Sequence, residues 1–214
     1  MLVGSIMSRD LITVTDKTAI DEALKVMREK KVRRLPVLNA KGKLVGIVAE
    51  KDILYASPSP ATSLSIHEIH YLVSKLTVEE IMTKNVITVT DDTPLEEAAS
   101  IMADKRIGAL PVMHDGNLVG IVTETDIFKA FLDLLGAREP GVRLTMKMPE
   151  GQGVLPLCME SISKLGGRLL ALITWGEHDP GIRILTVKVT GVDIEQLKES
   201  IAKLGVEVVD VRVV

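Results

Sequence analysis

Ser5-Ile6-Met7-Ser8-Arg9-Asp10-Leu11-Ile12-Thr13-Val14-Thr15 is written a second time, in matching character, as Glu80-Ile81-Met82-Thr83-Lys84-Asn85-Val86-Ile87-Thr88-Val89-Thr90. The correspondence runs on from there. Leu35-Pro36-Val37 returns as Leu110-Pro111-Val112, and Leu44-Val45-Gly46-Ile47-Val48 returns as Leu118-Val119-Gly120-Ile121-Val122. The second hairpin turn, His114-Asp115-Gly116-Asn117, is one residue shorter than its counterpart Asn39-Ala40-Lys41-Gly42-Lys43, in a glycine-containing loop where length changes cost little. Self-similarity at a fixed long period marks a repeat architecture. Each copy reads as a short strand, a helix, a two-stranded hairpin and a closing helix, the order βαββα. Ile20, Ala23, Leu24 and Met27, like Leu95, Ala98, Ala99 and Met102, fall at i, i+3, i+4 and i+7, so each helix has one stripe for a core. Thr93-Pro94-Leu95-Glu96 has the form of a capping box that starts the second helix, and Thr18-Ala19-Ile20-Asp21 is its weaker equivalent.

Outside the duplication the pattern changes. Ser57-Pro58-Ser59-Pro60-Ala61-Thr62-Ser63 reads as a mobile connecting loop, followed by a short apolar-periodic segment from Ile66 to Leu76. Gly136-Ala137-Arg138-Glu139-Pro140-Gly141 reads as a linker. Beyond it, Val142, Leu144, Met146 and Met148 alternate as in a half-buried strand, and Leu155, Cys158, Ile162 and Leu165 trace a helix that Gly166-Gly167 stops. Strands at Arg168 to Trp175 and Ile182 to Val189, a helix near Ile194 to Lys203 and a strand at Val206 to Val213 complete βαββαβ, a ferredoxin-like order. The fold class is mixed α+β. Its expected parts are repeat 1 at 1–60, a loop and helix at 61–79, repeat 2 at 80–135, a linker at 136–141 and a third domain at 142–214.

Composition narrows the function. With 214 residues, 46% hydrophobic and 26% charged, the chain is long and apolar enough to fold around substantial cores. A net charge of −3 gives no general attraction for a polyanion, so nucleic acid is not an expected partner and any phosphate must be held locally. One cysteine, Cys158, cannot form an internal disulfide, which fits the cytoplasm. The N-terminus has neither a basic n-region nor an apolar h-region, and nowhere do 18 apolar residues run together, so neither an export signal nor a membrane span is expected. Aromatic residues are only 2% of the chain, so a planar ligand would have to be gripped by aliphatic side chains and backbone.

The repeat resembles the CBS domain, whose paired copies form the Bateman module. The resemblance rests on Ile12-Thr13-Val14-Thr15 and Ile87-Thr88-Val89-Thr90, the two Leu-Pro-Val segments, and Gly46-Ile47-Val48-Ala49-Glu50-Lys51-Asp52 with Gly120-Ile121-Val122-Thr123-Glu124-Thr125-Asp126. It implies a pseudo-twofold pair of repeats with an adenine nucleotide (AMP, ADP or ATP) or S-adenosylmethionine as regulatory ligand in the cleft between them. Thr123 and Asp126 then hold phosphate and ribose. A hydroxyl and free N–H groups at a helix start suit a phosphate, and a carboxylate accepts from ribose hydroxyls. The resemblance places Ile12, Val14 and Val32 around adenine and Arg33 at phosphate. The mirror cleft would use Asp52 with Ile87, Val89 and Ile107, but Ala49 stands in place of the threonine and Gly108 in place of a polar side chain, so it is expected to be weaker or empty. Against this stands a plainer reading, in which Asp52 and Asp126 simply cap their helices.

The C-terminal domain resembles an ACT domain, which implies a small-molecule site in the loop Met148-Pro149-Glu150-Gly151-Gln152-Gly153-Val154-Leu155, with Gly151 and Gly153 permitting close backbone approach. The family's usual aspartate before the proline is missing, and the two glycines serve equally well as turn residues. A CBS pair with an ACT-like tail, together with Ile66-His67-Glu68-Ile69-His70, resembles the acetoin utilization protein AcuB family. This implies a link to acetoin or overflow-carbon metabolism, a homodimer and a regulated partner enzyme. The chain shows no Gly-x-Ser-x-Gly, Walker-type loop or His-Glu-x-x-His, and Cys158 falls on the apolar face of its helix, so catalysis is not expected. His67 and His70 lack a third convincing ligand, and no metal is expected. The competing reading is a dimerisation scaffold or regulatory subunit that binds no ligand of its own.

Overall fold

The computed structural model describes residues 1–56, 75–149, 153–176 and 181–214. The expected loop and segment within 57–74, including His67 and His70, lie outside the described residues, as does Gly151. The chain divides into two compact units, Met1–Ile127 and Phe128–Val214.

The first unit contains the duplication up to the first turn of its last helix. In copy one, β1 (Val14–Thr15) is followed by α1 (Ile20–Lys30), β2 (Arg34–Leu38), β3 (Leu44–Ala49) and α2 (Glu50–Ala56). After α3 (Val78–Ile81), copy two repeats the order with β4 (Val89–Thr90), α4 (Leu95–Lys105), β5 (Ala109–His114), β6 (Asn117–Thr123) and α5 (Glu124–Leu134). Each copy has a three-stranded sheet in which the short first strand runs parallel to the second and the third returns antiparallel. Val14 pairs with Val37 and Val89 with Val112, the same register twice. The expected stripes are buried: Ile20, Ala23 and Met27 on α1, and Leu95, Ala98 and Met102 on α4. In copy one they pack with Leu35, Val37, Val48 and Ile53. The shortened turn of copy two has positive φ at both Asp115 (47°) and Gly116 (72°), as a two-residue hairpin loop requires.

The segments ahead of each copy cross over. Residues 1–8 bond to copy two: Leu95 N–H donates to the Met1 carbonyl (3.0 Å), Val3 N–H to Thr93 (2.9 Å), and Ser8 and Ile121 exchange both backbone bonds (3.0 and 3.1 Å). Residues 76–83 do the same for copy one: Ile20 N–H donates to Leu76 (3.1 Å), Val78 N–H to Thr18 (2.9 Å), and Thr83 and Ile47 exchange bonds (2.9 and 3.0 Å). Every bond has its partner at the repeat offset, which is the bonding signature of a pseudo-twofold pair. Met7 lies against Gly120 and Met82 against Gly46, so closely that a Cβ at either glycine would collide with the sulfur.

The crossover also corrects the expected cap. Helix α4 begins at Leu95, and Thr93 Oγ1 accepts from Thr90 N–H (3.0 Å) rather than from the helix. Thr18 Oγ1 does the same with Thr15 N–H (3.0 Å). The orphan N–H at each helix start is met by a carbonyl of the crossing segment, which leaves the hydroxyl to close the preceding turn.

The second unit contains β7 (Val142–Pro149), α6 (Val154–Lys164), β8 (Arg168–Gly176), β9 (Ile182–Thr190), α7 (Ile194–Ala202) and β10 (Glu207–Val213). The sheet order is β10-β7-β9-β8, with all neighbours antiparallel, and the element order is βαββαβ. Leu144, Met146, Leu185 and Val187 on one sheet face pack with Cys158 and Ile162 of α6 and Leu197 and Ile201 of α7. Burial pushes the Cys158 thiol pKa upward, leaving it an inert core residue. Asp193 caps α7 by accepting from Glu195 N–H and Gln196 N–H, both at 3.0 Å. At its far end α5 closes in a Schellman turn, with Ala137 N–H on the Leu132 carbonyl (2.8 Å) and Gly136 N–H on Asp133 (3.0 Å). The buried Lys188 ammonium of β9 donates to the Gly136 carbonyl (2.8 Å), placing a cation at a helix C-terminus.

Candidate functional site

Two clefts related by the repeat offset open between the copies. The larger, about 260 Å³, is bordered by Ile12, Val32, Arg33, Thr123 and Asp126, five of the residues singled out from sequence. The chain brings them together from three places. Ile12 precedes β1, Val32 and Arg33 follow α1, and Thr123 and Asp126 span the junction of β6 and α5. Helix α1 stops because Lys31 takes the left-handed conformation (φ 56°), with its N–H on the carbonyls of Met27 and Arg28. This turn carries Val32 and Arg33 into the cleft wall. Left-handed backbone at a residue other than glycine, asparagine or aspartate is uncommon, and Arg106 repeats it in copy two (φ 53°).

At the helix start, Thr123 N–H and Thr123 Oγ1–H both donate to Asp126 Oδ2 (2.9 and 2.7 Å), and Asp126 N–H approaches Thr123 Oγ1 at 3.4 Å. This is a capping box with aspartate in the third helical position. The plainer reading of Asp126 as a helix cap is therefore realised, and the same residues border the cleft. All these bonds use Oδ2, and Asp126 Oδ1 has no hydrogen bond among the described residues. Thr125 N–H, second in the helix, has no intrahelical acceptor, so an anion at this corner meets a free donor and the positive end of an 11-residue helix.

The second cleft, about 180 Å³, is bordered by Asp52, Ile87 and Ile107, again from the expected set, with Ala49 and Gly108. Asp52 Oδ2 accepts from Ala49 N–H (2.9 Å), but Ala49 has no hydroxyl to complete the box. Val14 and Val89 border neither cleft. They are 8% and 7% exposed, because regular strand begins at these residues and turns their side chains into the cores. Gly153 has φ 63° at the N-cap of α6, where a turn residue is needed.

Sequence reasoning missed most of the cleft's charge. Lys31, Arg34 and Asp10 join Arg33 and Asp126 around the first cleft, while Arg34, Lys51 and Arg106 surround Asp52 in the second. Lys31 and Arg106 had a signal in their shared place, one residue past the end of each first helix. Arg34 had none, because copy two has Ala109 there.

The CBS domain family matches residues 3–59 and 78–133, so the chain belongs to the CBS-domain family as a tandem pair. Solved structures that resemble it include the following three. The CBS domain pair of MJ0100, in complex with 5-methylthioadenosine and S-adenosyl-L-methionine, is 35% identical, covers 65% of this chain and 98% of its own, and superposes with a TM-score of 0.52. CBSX2 in complex with AMP, a protein of Arabidopsis thaliana, is 33% identical over 61% of this chain and 96% of its own, TM-score 0.52. A putative acetoin utilization protein (AcuB) from Vibrio cholerae is 29% identical over 65% of this chain and 96% of its own, TM-score 0.54. Among curated proteins, a homoserine O-acetyltransferase of Methanohalobium evestigatum is 40% identical over 126 residues, 58% of this chain. The match spans only 23% of that enzyme's length. The family match ends at residue 133, ahead of β7.

Proposed function

We propose that the chain is a non-catalytic regulatory sensor that binds an adenine nucleotide or S-adenosylmethionine between its CBS repeats. The observation that carries this reading is the convergence of Ile12, Val32, Arg33, Thr123 and Asp126 on one cleft. Ile12 and Val32 supply aliphatic walls for adenine, Thr123 and the start of α5 meet phosphate, Asp126 accepts from ribose, and Arg33 and Lys31 neutralise charge. Structures of a CBS pair with S-adenosyl-L-methionine and of CBSX2 with AMP support the ligand class. The second cleft, with Asp52, Ile87 and Ile107, is the weaker site because Ala49 offers no hydroxyl.

Ligand binding shifts the population of cleft conformations, and the C-terminal unit reads or relays the shift. Its βαββαβ order supports an ACT-like role with a small ligand near Gly153, and the likeness to an AcuB supports a place in acetoin or carbon metabolism with a regulated enzyme as partner. The sensor works in the cytoplasm as a homodimer. Tyr55 on α2 (87% exposed) and Phe128 on α5 (71% exposed) give each helix an apolar surface for a second copy. Those surfaces also favour the second reading, a dimerisation scaffold without a ligand. Among the described residues no helix is long and apolar enough to cross a membrane.

Calorimetric titration with AMP, ATP and S-adenosylmethionine tests the reading. Micromolar binding that Arg33→Ala and Asp126→Ala weaken at least tenfold is expected, with Arg33→Ala leaving the melting temperature in place. Absence of heat with all three ligands would leave the scaffold.

A further inference from the structure

Among the described residues, Arg34 is the one that borders both clefts. It starts β2 opposite Ala49, itself in the wall of the second cleft. Its guanidinium lies over Gly108, where Arg34 Nη2 and Cζ and Glu124 Oε2 are the atoms nearest the place a Cβ would occupy. The glycine is what makes room for it. By the repeat offset Gly108 stands where copy one has Arg33, and Ala109 stands where it has Arg34. Copy two therefore has no counterpart of Arg33 or Arg34 to send across. The first cleft counts Lys31, Arg33 and Arg34 against Asp10 and Asp126; the second counts Arg34, Lys51 and Arg106 against Asp52.

Building on the nucleotide-sensor reading, we propose that Arg34 is a shared phosphate-binding cation for which the two clefts compete. Its resting place is over Gly108, on the second cleft's wall. A phosphate-bearing ligand in the first cleft draws it away and lowers the affinity of the second, and a phosphate in the second cleft holds it and weakens the first. Such coupling is reciprocal by necessity, and couplings between sites are typically about 5- to 150-fold in affinity. A ligand without phosphate, such as S-adenosylmethionine, leaves Arg34 in place and does not antagonise a nucleotide next door.

The test is calorimetric titration of the full chain with AMP, using Gly108→Ala, Arg34→Gln and the double variant. Gly108 has no positive φ, so alanine is acceptable to the backbone; its Cβ displaces Arg34 and Glu124 Oε2 together, and the double variant isolates the part due to Arg34. The binding event that Arg33→Ala weakens at least tenfold reports the first cleft. Gly108→Ala is expected to tighten that event at least threefold, and to have no effect on it when Arg34 is already glutamine. If Gly108→Ala does not fold, Arg34→Gln alone decides: a shared cation weakens both events, whereas a residue of one cleft weakens one. An effect of Gly108→Ala that is absent, or equal with and without Arg34, overturns the sharing and leaves the sensor reading intact. No AMP binding by the unmodified chain removes both.

Discussion

Thr123 and Asp126 show how one pair of side chains serves a helix and a cleft together. The hydroxyl that completes the capping box is the one the sequence assigned to phosphate, so Thr123→Val is expected to cost about 1 kcal/mol of stability, the usual worth of a cap, as well as ligand affinity. A denaturation midpoint that moves without any loss of AMP affinity would confine Thr123 to the cap. Lys31 gives the converse case. Its left-handed backbone is strained for lysine and natural for glycine, so Lys31→Gly should leave stability unchanged or slightly raised while weakening AMP binding, as paired melting and titration would show. His114 supplies a pH dependence. Its Nδ1 lies 2.9 Å from Asp91 Oδ1, and this hydrogen bond, then the Asp91 charge, raises the His114 pKa above its ordinary 6.5 and lowers that of Asp91. The pair's stabilisation is therefore fully present between the ordinary values of the two groups. It is lost as pH rises through the raised His114 pKa, and again as pH falls through the depressed Asp91 pKa. Titration of the His114 ring by NMR should show a midpoint above 6.5 that Asp91→Asn brings back down.

At the scale of elements, the repeated helices, hairpins and closing helices were legible because hydrophobic period and turn chemistry agreed. Ile20, Ala23 and Met27 reveal a helix whatever it packs against, and Asp115-Gly116 fixes a hairpin locally. The crossing segments were not legible, because their bonds join residues far apart in the chain, such as Ser8 with Ile121 and Ile47 with Thr83, that sequence periodicity cannot pair. Thr93 is the clearest instance. It looks like a cap until the Met1 carbonyl arrives at Leu95 N–H and frees the hydroxyl for Thr90. Val14 and Val89 were assigned to the ligand by resemblance, but the register with Val37 and Val112 turns them inward. The crossover makes its own prediction. Gly120→Ala and Gly46→Ala place a Cβ against Met7 or Met82, an overpacking expected to cost about 1–3 kcal/mol in chemical denaturation. Shortening the opposing side chain, as in Met7→Ala with Gly120→Ala, should recover part of the loss.

For the whole molecule, the family match and the solved relatives account for the first unit, and the second stands on its own topology. Within the second unit, the Lys188 ammonium caps the C-terminal end of α5 at the Gly136 carbonyl. Removing that cap by Lys188→Met leaves the Gly136 carbonyl without its charged donor, a loss of about 1–3 kcal/mol expected in the unfolding of the C-terminal unit. The repeat made the cleft's place readable from one chain, but most of its charge came from residues such as Arg34 that break the repeat. The central claim is that adenine sits between the repeats, and photolabelling with an azido-adenine analogue of AMP, followed by peptide mapping, tests it most directly. Label confined to peptides carrying Ile12, Val32 or their mirrors Ile87 and Ile107, and displaced by AMP, is the expected result; label confined to the C-terminal unit, or undiminished by AMP, would contradict it.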